Sequence, residues 1–241
     1  MSRAVAIIPA RYASTRFPGK VLAEVAGKPL LQHVWERARM LRTAEAVLIA
    51  TDDERIARAA RGFGAEAVLT RDDHPSGTDR VAEVARSLAA ELVVNLQGDE
   101  PGFDGKAVDE LVDLLAASPG VPMGTLAHPI GEPAELADPN AVKVVVDLDG
   151  RALYFSRAPI PARRQGAGQA LRHIGIYVFR RAFLLEFAAW PPTPLEQAEG
   201  LEQLRALEHG RPIRVLVTPH PSVGVDTPAD LERLRRLLAA G

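Results

Sequence analysis

The chain is predicted to adopt an α/β fold: a mostly parallel sheet with helices on both faces, plus a smaller inserted antiparallel lobe. Two observations carry this. From residue 4 to residue 117, short apolar runs alternate with segments of helical period, which demands crossover connections and therefore parallel strands. After residue 120 the pattern changes to strand-like runs separated by turn signals, as in an antiparallel lobe. The 241 residues thus read as one domain over 1–241, with a lobe over approximately 121–180.

Ala4–Pro9 is the first strand, an unbroken apolar run. Pro29–Leu41 follows as a helix, because Leu30, Leu31, Val34, Trp35, Ala38 and Leu41 recur at helical spacing and Pro29 suits a first turn. Ala46–Ala50 is the next strand, and Asp53–Arg61 a helix closed by Gly62 and Gly64. Glu66–Leu69 is a strand, Asp79–Leu88 a helix, Leu92–Leu96 a buried strand and Lys106–Ala117 a helix.

In the lobe, Met123–Pro129, Ala141–Asp147, Ala152–Ser156 and Arg172–Phe179 are strand-like. Asp149-Gly150 marks a hairpin, and Ala162–Ala170 is a polar loop. Helices over Ala182–Trp190 and Leu195–His209 and a strand over Ile213–Val217 lead to the last helix. Thr227 is its N-cap, Pro228 its first residue and Asp230 its third.

Ligands of parallel sheets bind beyond the carboxyl ends of the strands. The polar loops after Pro9, Ala50, Leu69 and Leu96 therefore share one crevice. The first loop carries Arg11, Arg16 and Lys20 with Pro18 and Gly19 between them, which suits a polyphosphate cradle, the alternative being a solvated turn. Gln97-Gly-Asp-Glu-Pro101 places two carboxylates at the same edge. Asp99 there reads as a ligand of a hard cation such as Mg²⁺, or as a helix-start acid. Asp226 lies at another strand-to-helix junction, open to the same two readings. In Asp73-His-Pro-Ser-Gly-Thr-Asp-Arg80, Ser76 is either an N-cap or part of a turn that reads a nucleobase. His173, Gly175 and Tyr177 share one face of their strand, opposite Ile174, Ile176 and Val178. That face suits a sugar or solvent.

Composition excludes other chemistry. A net charge of −2 argues against a nucleic-acid binder that relies on a basic field. The absence of cysteine removes disulfides, thiolate nucleophiles and iron–sulfur clusters. No apolar stretch is long enough to span a membrane, so the chain reads as soluble and cytoplasmic, with no membrane partner. Walker A, G-x-G-x-x-G, H-E-x-x-H and G-x-S-x-G signatures are missing.

Taken in order, Ile7-Ile-Pro-Ala-Arg-Tyr-Ala-Ser-Thr-Arg16 with Pro18-Gly-Lys20, Ser76-Gly-Thr78, Gln97-Gly-Asp-Glu-Pro101, Tyr154-Phe-Ser-Arg157, Arg172-His-Ile-Gly-Ile-Tyr177, Leu201-Glu-Gln-Leu-Arg205 and Gly224-Val-Asp-Thr-Pro228 resemble one family nearly end to end. It is the 3-deoxy-manno-octulosonate (Kdo) cytidylyltransferases. The resemblance implies a Rossmann-like fold of the nucleotide-diphospho-sugar transferase type. It implies CTP and Kdo as substrates, CMP-Kdo and pyrophosphate as products, Mg²⁺ as cofactor, and a cytoplasmic homodimer serving lipopolysaccharide synthesis. It further implies that Ala10, Arg11, Lys20, Ser76, Gly77, Arg80 and Gln97 contact the nucleotide. Asp99 and Asp226 would hold magnesium and act in catalysis with Lys20. Gln97, Arg157, His173, Tyr177, Glu202 and Gln203 would line the sugar site, and the inserted lobe would carry the dimer contact. Two departures stand out: Asp79 where the family has glutamate, and a short 162–170 loop without the tryptophan expected after Ile160-Pro161.

Overall fold

The computed structural model describes residues 4–13, 17–162, 164, 168–225 and 227–239. Strand β1 (Ala4–Ala10) leads through the polar loop to a 3₁₀ turn at Lys20–Leu22. A minimal hairpin follows, β2 (Glu24–Val25) and β3 (Lys28–Pro29), and then α1 (Leu30–Ala38). The alternation continues through β4 (Ala44–Thr51), α2 (Glu54–Gly62), β5 (Glu66–Leu69), α3 (Gly77–Ala85), β6 (Leu92–Asn95) and α4 (Gly105–Ala116). Asp53 and Asp104 cap α2 and α4 by accepting backbone N–H bonds, which fixes where those helices start. The later part holds β7 (Met123–Pro129), α5 (Pro133–Ala137), β8 (Lys143–Val146), β9 (Ala152–Ser156), β10 (Leu171–Arg180) and α6 (Arg181–Phe187). It closes with α7 (Pro194–Glu199), α8 (Leu204–Glu208), β11 (Ile213–Val217) and α9 (Pro228–Ala239).

The main sheet runs β11-β7-β10-β6-β1-β4-β5. Every neighbouring pair is parallel except the two made by β10, which is antiparallel to both β6 and β7. The antiparallel character expected after residue 120 thus resides in β10 and in the β8–β9 hairpin, which pairs with the first residues of β10. Strands β7 and β10 themselves run in the main sheet.

Side chains alternate across the sheet and seed two cores. On one face Ile8, Val94 and Ile176 pack against Leu31 and Val34 of α1, Ile56 of α2 and Leu111 of α4. On the other, Ile7, Val93 and Phe179 pack against Val81 of α3, Phe183 of α6 and Leu204 of α8. A smaller cluster of Val25, Leu30, Val225, Leu231 and Leu234 fastens α9 to the β2–β3 region. Among the described residues no helix is long and apolar enough to cross a membrane.

One expected element is corrected. The single helix expected over Leu195–His209 is two helices, α7 and α8. Gly200 breaks it by taking φ 62°, a left-handed conformation that costs glycine little, and Leu201 N–H then bonds back to Glu196 O at 3.1 Å. The turn lays Arg205 of α8 against Glu196 of α7 in a buried bidentate pair of 2.8 and 2.5 Å. At the C-terminal helix the expected cap is present: Thr227 Oγ1 accepts from Asp230 N–H at 3.2 Å, and Asp230 accepts in return from Thr227 N–H at 2.8 Å.

Strand β7 meets α4 closely at Gly124. An added Cβ would lie 2.7 Å from a Leu115 methyl and 2.8 Å from a Leu111 methyl. Gly124→Val should therefore destabilise the fold by about 1–3 kcal/mol through overpacking. Denaturant unfolding measures this, and unchanged stability would show that α4 can retreat freely from the sheet.

Candidate active site

Parallel strands β1, β4 and β6 end together at one edge of the sheet. Ala10, the last residue of β1, is buried and paired with Thr51. Gly98, just past β6, sits so close to β1 that an added Cβ would be 3.0 Å from Pro9 O. Arg11 is exposed at the start of the polar loop, while Arg16 lies outside the described residues. The loop returns at Gly19 (φ 70°), which packs on the Tyr12 ring and starts the 3₁₀ turn at Lys20. The Arg55 guanidinium lies 3.4 Å from the centre of the other side chain in this clasp, the Tyr12 ring, so α2 pins the loop by a cation–π contact.

Lys20 and Asp99 form an ion pair across the edge, and Lys20 Nζ also donates to Val225 O at 3.2 Å. Backbone bonds lock the surrounding loops together: Val225 N–H to Asp99 O at 2.8 Å and Gly102 N–H to Val223 O at 3.2 Å. The described chain thus approaches Asp99 as far as Val225 and resumes at Thr227. Asp226 itself, expected as the second metal ligand, lies outside the described residues. A cleft of about 1090 Å³ opens beside Asp99, bounded by Gln97, Glu100, His128, Arg172, Gly224 and Asp230 among others. Among the described residues no three His, Cys, Asp or Glu side chains cluster as a complete metal site. The donors that are present are carboxylate oxygens already balanced by a cation, and such hard, partly exposed oxygen donors fit magnesium.

Ser76, Gly77 and Arg80, expected beside the nucleotide, are placed by α3. Ser76 caps that helix, its Oγ accepting from Asp79 N–H at 3.1 Å. Gly77 packs on Pro9, with 3.3 Å available to a Cβ. Arg80 is buried at 3 % exposure. Its guanidinium pairs with Asp52 at 3.2 Å and donates to the Thr70 hydroxyl and to Arg71 O. It therefore ties together the loops after β4 and β5.

Across the edge, β10 supplies the other wall. Tyr177 pairs with Asn95 at the end of β6, so Gly175 and His173 project beyond that end, and Gln97 Nε2 donates to Gly175 O at 3.1 Å. His173 and Tyr177 are both buried, with ring centroids 5.5 Å apart. The face read as suiting sugar or solvent is thus a largely covered aromatic row continuing through Phe179. Burial pushes the His173 pKa from 6.5 down to about 3, so the ring is neutral. Tyr177 is raised well above its ordinary value, mainly by burial and then by Glu202 and Glu100. Burial also raises Glu202, opposed by hydrogen bonds from Thr78 and Ser76. The Thr78 hydroxyl donates to Glu202 and accepts from Asn95 Nδ2 at 3.1 Å. Gln203 is buried, with its Nε2 lacking a partner.

The Arg157 guanidinium donates to Glu199 O at 2.8 Å, Pro139 O at 3.0 Å and Gly200 O at 3.4 Å. Several supporting residues were given no role from the sequence: Asp52, Thr78, Asn95, Thr125 and Glu199. Only Asn95, a polar residue ending an apolar strand, and Thr78, inside the Ser76-Gly-Thr78 motif, offered a signal. The others act through contacts between residues distant in the chain.

A protein-family model described as cytidylyltransferase matches residues 5–213. A 3-deoxy-manno-octulosonate cytidylyltransferase from Anaeromyxobacter sp. strain Fw109-5 is 57 % identical, covering 100 % of this chain and 99 % of its own. The chain belongs to the 3-deoxy-manno-octulosonate cytidylyltransferase family. The relative of that name from Geobacter sulfurreducens is 54 % identical over 95 % of this chain and 96 % of its own. Among solved structures, CMP:2-keto-3-deoxy-manno-octonic acid synthetase complexed with CTP superposes with a TM-score of 0.95 at 46 % identity. It covers 99 % of both chains.

Two predictions follow from the packing around Asp99 and His173. A Cβ at Gly102 would lie 2.6 Å from Val223 Cβ and 3.0 Å from its backbone N. Gly102→Ala should thus part the Asp99 and Val225 loops and lower kcat by about 10²-fold, the scale of a misplaced catalytic group. The variant should still fold, with Tm lowered by roughly 2–8 °C through overpacking, and normal turnover would show that the loop spacing is immaterial. At His173, the folded pKa lies below the unfolded value of 6.5, so the unfolded chain binds the extra proton. Stability should fall as pH drops from 6.5 toward about 3, by up to about 1.4 kcal/mol per unit from this group. His173→Gln should flatten that slope in urea titrations, and an equal slope in both proteins would refute the assignment.

Proposed function

We propose that the protein transfers CMP from CTP to the anomeric hydroxyl of Kdo, giving CMP-Kdo and pyrophosphate. The observation that carries this reading is the meeting of two half-sites at one sheet edge. The Lys20–Asp99 pair and its phosphate loop lie on one side, and Gln97, His173, Tyr177 and Glu202 lie on the other.

In the proposed reaction the anomeric oxygen forms a bond to the α-phosphorus as the bond to the β-phosphate oxygen breaks. The hydroxyl proton passes to solvent. Ala10, Arg11 and Lys20 receive the triphosphate, with the Ser76–Gly77 turn beside the cytidine and Arg80 holding the loops around it. Lys20 stabilises negative charge in the transition state. Asp99, with Asp226, would hold magnesium, whose contribution when bound is to acidify the acceptor hydroxyl and offset charge on pyrophosphate. On the acceptor side, Gln97, His173, Tyr177, Glu202 and Gln203 orient the sugar, while Arg157 fixes the 199–200 turn beside Glu202 through its carbonyl contacts.

The exposed Leu148 and Leu153 of the β8–β9 hairpin support a homodimer formed through that region. A CTP-consuming activation step fits the cytoplasm, and its product fits delivery of Kdo to lipopolysaccharide.

Pyrophosphate release with CTP and Kdo, with and without Mg²⁺, tests the reading. Release should require both substrates and the metal, and Lys20→Ala should slow it by about 10²–10³-fold. Equal use of sialic acid would overturn the choice of sugar. No release, with CTP bound, would make the protein a nucleotide sensor rather than an enzyme of this class.

A further inference from the structure

We infer that Thr125 is a positioning residue that locks His173 as its neutral Nε2–H tautomer, so that Nδ1 is presented to the acceptor sugar as a hydrogen-bond acceptor. The inference rests on the acceptor-site reading above and adds a residue and a proton location to it.

The geometry begins with a break in register. Leu126 of β7 pairs with Ile174 of β10, but the preceding Thr125 pairs with Tyr177. Gly175 and Ile176 are therefore extra residues on β10, a bulge that takes their backbone out of the regular ladder. Buried carbonyls left without partners are costly, and side chains supply what the ladder does not. Thr125 Oγ1 lies 2.8 Å from Ile176 O and 3.1 Å from Ile174 O, and Gln97 Nε2 donates to Gly175 O at 3.1 Å.

Thr125 is fully buried, and its hydroxyl has one proton facing two carbonyls that can only accept. That proton belongs to the carbonyl pair. The His173 Nε2 atom, 2.9 Å from the same oxygen, must then be the donor, and a lone pair of Oγ1 receives it. The imidazole is neutral in its buried position, so Nδ1 keeps its lone pair. The ring plane is held by an edge contact to Phe155 at 5.0 Å and by Tyr177. The same bulge orients Gln97: because its Nε2 faces Gly175 O, its Oε1 remains an acceptor. Among the described residues neither His173 Nδ1 nor Gln97 Oε1 has a protein partner. A pair of acceptors addresses hydroxyl donors, which a polyhydroxylated sugar supplies in number.

The test is ¹⁵N NMR of the histidine-labelled full chain without ligand, together with kinetics. The wild-type His173 should show a protonated, pyrrole-type Nε2 and a pyridine-type Nδ1 across neutral pH. Thr125→Val keeps the side-chain shape but removes the hydroxyl. It should mix the tautomers and raise KM for Kdo about tenfold, the scale of one lost hydrogen bond, with KM for CTP little changed. Thr125→Ser restores the hydroxyl and should restore both readouts. A wild-type His173 protonated at Nδ1 overturns the inference, even if Thr125→Val fails to fold. So does a folded Thr125→Val with an unaltered tautomer. A shifted tautomer with equal changes in both KM values would show that Nδ1 does not address the sugar. Absence of pyrophosphate release from wild type, by contrast, overturns the proposed function and leaves the tautomer assignment standing.

Discussion

The pairing of β10 with β6 is the constraint on which the site depends. β6 ends at Asn95 on the edge where parallel strands deliver their loops, and an antiparallel partner reaches that edge with its own first residues. Were β10 parallel, the crossover rule would bring its last residues there instead. Antiparallel pairing sets His173 and Gly175 beside Gln97, so the first residues of β10 meet the loop that follows β6. The hairpin β8–β9 is then fastened to the same end of β10, carrying Arg157 and its partner Glu199 along.

One pair of opposite charges meets at this edge. Lys20 and Asp99 neutralise each other in a cleft that also holds Glu100, and the Val223–Val225 segment is stitched to the Asp99 loop by backbone bonds. Buried polar groups elsewhere follow the same logic. Asn95, Thr78 and Glu202 form a chain of hydrogen bonds, and Arg205 is bidentate to Glu196. Satisfied networks of this kind contribute little net stability, yet removing one member leaves a costly orphan. Their effect is to hold Glu202 and the α7–α8 turn in one arrangement.

Much of the fold was legible because its elements are locally specified. The apolar run of β1, the helical period of α1 and the buried apolar run of β6 each act over a few residues, and each of these elements formed where its pattern lies. The failure at Leu195–His209 is instructive. The apolar spacing there continues across Gly200, but Gly200 takes a left-handed conformation that ends α7, and the turn sets Arg205 against Glu196. Site residues divide in the same way. Lys20 and Asp99 announced themselves as charges beside glycines at strand ends. Thr125 did not, since a threonine in an apolar strand is unremarkable until its partner is known.

The sequence by itself determined most of the order of strands and helices, the cationic loop, the carboxylates beyond β6 and the family to which the chain belongs. These are properties of contiguous residues, set by period, capping and turn chemistry. Tertiary structure decided which way β10 runs, where the bulge at Gly175 and Ile176 falls, and which groups share each proton. The two faces of β10 could be read in advance, but their surroundings could not. His173 is neutral because β9 and β7 bury it against Phe155 and Thr125, and burial is a property of residues that meet only when the chain has folded.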